Sequence, residues 1–139
     1  MTTRERILVV DDEADTQAML QALLEAEGYA VETAADGAKA LEHVQAARPD
    51  LILLDIMMPQ MDGLEVCDRL RFDPETRDVP IIFLTARQDP AVKSRASILD
   101  AYAYIEKPFD PDALLAEVRN CLNVFGREAR DDDREQPSA

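Results

Sequence analysis

Leu51-Ile52-Leu53-Leu54-Asp55 is four aliphatic residues closed by one acid. An apolar run of this length, with no alternation, reads as a strand covered on both faces, which points to a parallel sheet between helical layers. Ile7-Leu8-Val9-Val10 has the same character and is closed by Asp11-Asp12, and Val79-Pro80-Ile81-Ile82-Phe83-Leu84 is closed by Thr85. Ala30–Ala34 and Ala103–Ile105 complete a set of five short strand-like runs, the last followed by Glu106 and Lys107.

Helical spacing fills the gaps. Met19, Leu20, Leu23 and Leu24 predict one face of a first helix closed by Gly28. Ala40, Leu41 and Val44 predict a second helix capped by Asp36, and Leu64, Cys67 and Leu70 a third. Asp89-Pro90 and Asp110-Pro111 each place Pro at a first helical position, so a fourth and a fifth helix start there. The fifth carries the stripe Leu114, Leu115, Val118, Cys121, Leu122 and Phe125. Strand and helix thus alternate five times, which predicts a doubly wound α/β sandwich over residues 1–125. Residues 126–139 lack apolar periodicity and are expected to form a charged, disordered tail.

The chain has 139 residues, enough for one self-sufficient core. Its net charge of −14 opposes nucleic-acid phosphates and excludes a stand-alone DNA or RNA binder. The first residues lack the apolar stretch of a signal peptide or a membrane span, and the two cysteines form no CxxC, so a cytoplasmic protein without membrane insertion is expected.

In open parallel sheets, ligands sit at the carboxyl ends of the strands. Asp11, Asp12, Asp55, Thr85 and Lys107 all fall at such ends. Two carboxylates about 4 Å apart repel by roughly 4 kcal/mol at an effective dielectric near 20, so three together call for a cation or a proton. The donors are hard oxygens with no His or Cys among them, which favours Mg²⁺, or Mn²⁺, over zinc or copper. Three carboxylates, one Mg²⁺ and Lys107 sum to zero, and these parts suit phosphoryl transfer.

The segments ILVVDDE, LILLDIMMPQMDG, IIFLTA and YIEKPF, in that order, resemble the receiver domain of bacterial two-component response regulators over residues 5–125. That resemblance implies a flavodoxin-like fold with strand order 2-1-3-4-5 and five helices. It further implies that Asp55 accepts a phosphoryl group from a histidine kinase or a phosphotransfer protein. Asp12, Asp55 and the Met57 carbonyl would hold the metal directly, and Asp11 through water. Lys107, joined to Pro108 by a cis bond, and Thr85 would contact the phosphoryl oxygens. Thr85 and Tyr104 would form the switch, and Pro59 and Gly63 would shape the loop after Asp55. The surface of the fourth helix, fifth strand and fifth helix would then change to alter binding of a downstream protein partner. The protein is expected to be a monomer or a phosphorylation-dependent dimer. It would not be a conventional enzyme, acting only in its own phosphorylation and dephosphorylation. One departure stands out: the family often has Gly where this chain has Asp100, at the end of the fourth helix.

Other readings weigh less. A Mg²⁺-dependent aspartyl-phosphate phosphatase needs an acid two residues after the nucleophile, where Met57 stands. A flavodoxin-like cofactor binder needs a phosphate loop after the first strand, where Asp11-Asp12-Glu13 would repel phosphate. A pure interaction module with a dead site conflicts with the intact acids, hydroxyl and lysine. The chain after Phe125 is expected to be too short for an output domain, yet the receiver portion of a longer regulator remains an alternative.

Overall fold

In the computed structural model, described residues are 4–86, Ser94 and 100–135, with only the backbone described for 126–135. The element order is β1 (Arg6–Val10), α1 (Ala14–Ala26), β2 (Ala30–Ala34), α2 (Gly37–Ala46), β3 (Leu51–Asp55), α3 (Gly63–Phe72), β4 (Ile81–Thr85), β5 (Ala103–Glu106) and α4 (Pro111–Glu135). The five strands form one sheet in the order β2-β1-β3-β4-β5, every neighbouring pair parallel.

The period-2 pleat explains the uninterrupted apolar runs. Leu8, Val10, Ile52, Leu54, Ile81 and Phe83 point to the face covered by α2 and α3. Ile7, Val9, Leu53, Ile82 and Leu84, one position out of phase, point to the face covered by α1 and α4. Both faces are buried, so no strand of the central three has a solvent side to mark with polar residues.

Local chemistry sets the helix ends. Asp36 caps α2 by accepting from the Lys39 N–H at 2.8 Å, as expected. Asp62 caps α3 by accepting from Glu65 N–H at 2.9 Å. After α1, Gly28 takes φ +97°. Its N–H donates to the Glu25 carbonyl, and the next N–H, of Tyr29, reaches Leu24, which closes the helix in a Schellman turn.

The structure departs from the sequence reading in particulars. Met19 lies outside the buried face of α1, at 49% exposure, whereas Leu20 and Leu24 are fully buried. β4 begins at Ile81 rather than Val79, because Pro80 has no N–H for the ladder. The backbone of the C-terminal helix runs on to Glu135. Arg, Glu and Ala in that stretch are good helix formers and extend the helix without an apolar stripe. The helix expected from Asp89-Pro90 lies outside the described residues apart from the helical Ser94.

Asp100 adopts φ +62°, the left-handed conformation that glycine takes at low cost. Its carbonyl accepts from the Arg71 guanidinium at 3.1 Å, and the same guanidinium donates to the Arg77 and Val79 carbonyls at 2.7 Å each. Arg71 thereby ties the end of α3, the entry to β4 and the turn before β5 into one unit.

Candidate phosphoacceptor and metal site

Each candidate residue sits where a strand leaves the sheet. Asp11 follows β1, Asp55 closes β3, Thr85 closes β4, and Lys107 follows β5. Because β1, β3, β4 and β5 are parallel and adjacent, their carboxyl ends share one rim. Carboxylate oxygens of Asp11, Asp12 and Asp55 lie within 4.8 Å of one another. Asp11 is fully buried, Asp55 is 2% exposed, and Asp12 faces solvent.

Lys107 enters this cluster from β5. Its Nζ donates to Asp11 Oδ2 at 2.8 Å, lies 3.4 Å from Asp55 Oδ2, and is 4.0 Å from Glu13 Oε1. Burial pulls the Lys107 pKa down, but the bonds and charges of Asp11 and Asp55 outweigh it, and the net shift is upward. The ammonium is therefore permanent at neutral pH. Asp55 behaves in the opposite sense for a carboxylate. Burial first, and then the Asp11 charge, pushes its pKa up from 3.8 to about 6, against the pull of Lys107 and the Met57 N–H. Three carboxylates and one ammonium leave a formal excess of two negative charges. Closely spaced hard oxygen donors with that excess fit a divalent cation of the Mg²⁺ or Mn²⁺ kind.

The loop after Asp55 is set by close packing. Met57 N–H donates to Asp55 Oδ1 at 3.1 Å, while the Met57 side chain is 68% exposed. Gly63 N–H donates to the Ile56 carbonyl at 3.0 Å. A Cβ on Gly63 would collide with the Asp55 carbonyl oxygen and lie 2.9 Å from Ile56 Cα, so only glycine fits there. Gln60, in the same loop, has φ +69°.

Thr85 is buried, and its carbonyl accepts from Lys107 N–H at 2.6 Å, which links the ends of β4 and β5 directly. The Lys107–Pro108 peptide is cis. Tyr104 is half-buried on the edge strand β5, and its ring stacks on Phe83 with centroids 6.4 Å apart and planes 11° from parallel. The structure thus brings Asp11, Asp12, Asp55 and Lys107 together, and places Thr85 at the adjoining strand end.

Two contributors were missed in the sequence. Glu13 was read only as part of a repulsive acidic triplet, yet its carboxylate comes within ion-pair range of Lys107. Gln17 bonds the Asp11 main chain. Its signal was available: Gln17 precedes Leu20 and Leu24 by three and seven residues, so it is a polar residue on the buried stripe of α1.

Residues 7–119 match the response regulator receiver domain family. The chain is 48% identical over 119 residues to the response regulator MprA of Mycobacterium ulcerans, covering 84% of this chain and 50% of that protein. It is 44% identical over 129 residues to the probable transcriptional regulator ycf27 of Guillardia theta, covering 93% and 50% respectively. Among solved structures, Vibrio cholerae chemotaxis protein CheY4 superposes with a TM-score of 0.82 at 35% identity, covering 86% of this chain and 99% of that one. The chain belongs to the response regulator receiver domain family, whose members are generally two-component signalling proteins rather than classical enzymes. It spans about half the length of the curated relatives it matches.

Proposed function

We propose that this chain is a phosphorylation-controlled switch in which Asp55 takes a phosphoryl group from a histidine kinase or a phosphotransfer protein. The observation that carries the reading is the convergence of Asp11, Asp12 and Asp55 with the Lys107 ammonium at one sheet edge. A carboxylate oxygen of Asp55 attacks phosphorus. The bond from phosphorus to the donor's leaving atom breaks, and its electron pair departs with the donor. Met57 N–H fixes the rotation of the Asp55 carboxylate, and Lys107 supplies a fixed positive charge beside it. Asp11, Asp12, Asp55 and the Met57 carbonyl are the residues that would hold Mg²⁺. When bound, the cation offsets the negative charge of the acids and of the incoming phosphoryl group.

The new phosphoryl oxygens draw on Thr85 and Lys107, which are already coupled through the Thr85 carbonyl. Movement there is passed to β5 and to Tyr104, whose stacking on Phe83 ties it to the neighbouring strand. The surface of β5, the C-terminal helix and the segment before β5 then changes for a downstream protein partner. A cytoplasmic location follows from that role, and no helix among the described residues is long and apolar enough to cross a membrane. A second reading, favoured by relatives about twice as long, is that this is the receiver portion of a longer regulator with an output domain.

Phosphorus NMR of the protein with acetyl phosphate tests the reading. The expected result is a Mg²⁺-dependent, hydroxylamine-labile acyl phosphate that Asp55→Asn abolishes. An unchanged adduct in Asp55→Asn would overturn it.

A further inference from the structure

Asp11 is fully buried, and each of its polar groups has a partner from a different part of the fold. Its N–H donates to the Ala34 carbonyl at the end of β2, at 3.1 Å. Its Oδ1 accepts from Glu13 N–H at 2.9 Å, and its Oδ2 from Lys107 at 2.8 Å. The remaining group, the Asp11 carbonyl, accepts from the Gln17 side-chain amide at 2.5 Å. The same Nε2 lies 3.4 Å from the Ala34 carbonyl oxygen. An amide –NH₂ has two N–H donors, so one Gln17 side chain can serve both carbonyls. The Ala34 oxygen in turn accepts from Asp11 N–H and from Gln17, using both of its lone pairs. Gln17 itself is anchored in α1 by its own N–H, which donates to the Glu13 carbonyl at 3.1 Å.

We infer that Gln17 is a positioning residue for the cation site: its amide closes the β1–β2 junction and holds the Asp11-Asp12-Glu13 turn in the conformation that aims two carboxylates at Asp55. Three physical points support this. A buried carbonyl without a donor is unfavourable, so the turn shifts when the amide is removed. The turn carries three acids in sequence, and their mutual repulsion drives any slack outward. Gln17 is neutral and outside the acid cluster, so its effect on the cation is through the Asp11 main chain and not through charge. Hydrogen-bond partners of ligating side chains typically govern metal affinity by about 10–100-fold, and Gln17, which acts one bond further out through the Asp11 main chain, belongs at the lower end of that range. The inference rests on the reading of Asp11 and Asp12 as cation ligands.

The test uses Gln17→Met, which keeps the side-chain length and removes both donors, and Gln17→Asn, which keeps the amide but shortens its reach. Each is compared with wild type by circular dichroism, by Mg²⁺ titration calorimetry, and by phosphorylation with acetyl phosphate over a Mg²⁺ series. The expected result is a folded Gln17→Met with a Mg²⁺ Kd raised about 10-fold or more. Its phosphorylation rate recovers at saturating Mg²⁺, a split that general loss of structure does not produce. If Gln17→Met does not fold, the same shift in Gln17→Asn carries the inference. Wild-type Kd in a folded variant overturns the inference and leaves Asp55 phosphorylation standing. Absence of Mg²⁺ binding by the wild type overturns both. A raised Kd in the variants with no phosphoryl uptake by any of the proteins supports the role of Gln17 and removes only the phosphorylation reading.

Discussion

Lys107 is bound more closely to Asp11, at 2.8 Å, than to Asp55, at 3.4 Å. The lysine thus rests on the fully buried Asp11 while remaining within reach of Asp55. This pair joins the end of β1 to the end of β5 across two intervening strands, so it is both a tether for the sheet edge and the site's fixed positive charge.

Removing that charge exposes its structural share. Lys107→Met leaves Asp11 buried with no cationic partner among the described residues, and breaking a buried pair costs about 3 kcal/mol. Urea unfolding at neutral pH in EDTA should show that loss, and added Mg²⁺ should narrow the gap to wild type. An unchanged midpoint in EDTA contradicts the pairing.

Asp55 titrates near 6, well above the 3.8 of an unperturbed aspartate. The folded chain therefore binds this proton more tightly than the unfolded chain. The associated stability is full below about pH 3.8 and is lost as the pH rises through about 6. Asp55→Asn, which mimics the neutral form, should have little effect near pH 4 and should stabilise by up to roughly 3 kcal/mol near pH 7.5 without Mg²⁺. Unfolding curves at the two pH values check this, and a stabilisation of equal size at both contradicts the burial of a charge at this position.

Two glycines should respond differently to alanine. At Gly28 nothing lies within 4 Å of the added carbon, and only the left-handed backbone resists, at about 1 kcal/mol. At Gly63 the carbon meets the Asp55 main chain itself. Overpacking against backbone costs about 2 kcal/mol or more. Gly63→Ala should therefore lose more stability than Gly28→Ala, and it alone should slow phosphoryl uptake.

Coupling from Asp55 to β5 runs through Thr85 in this account. Acetyl phosphate with Mg²⁺ should change hydrogen exchange across Ala103–Glu106 in wild type. Thr85→Ala should reduce that change, and Tyr104→Ala should preserve it in β5 while weakening phosphorylation-dependent partner binding. Equal changes in wild type and Thr85→Ala contradict the route.

The sheet was legible because burial on both faces writes itself as uninterrupted aliphatic residues, and LILLD has no other economical reading. Asp36, Gly28 and Pro111 marked helix ends because each satisfies or forbids a particular backbone bond. The acids and Lys107 were legible as strand-end residues, but which acid the lysine prefers was not, since that depends on three-dimensional reach. Met19 failed because apolar character alone does not define the width of a buried stripe, and Gln17 failed for the converse reason. A polar residue on an apolar stripe was passed over although it reaches two main-chain carbonyls.

Several acids crowd this sheet edge, and the proposed phosphoacceptor is one of them alone, Asp55. Peptide mapping by mass spectrometry after treatment with acetyl phosphate and Mg²⁺ tests it most directly. The expected result is a single modified site at Asp55, with none at Asp11, Asp12 or Asp62. A phosphoryl group on any of those acids in the wild-type protein, with Asp55 unmodified, contradicts it.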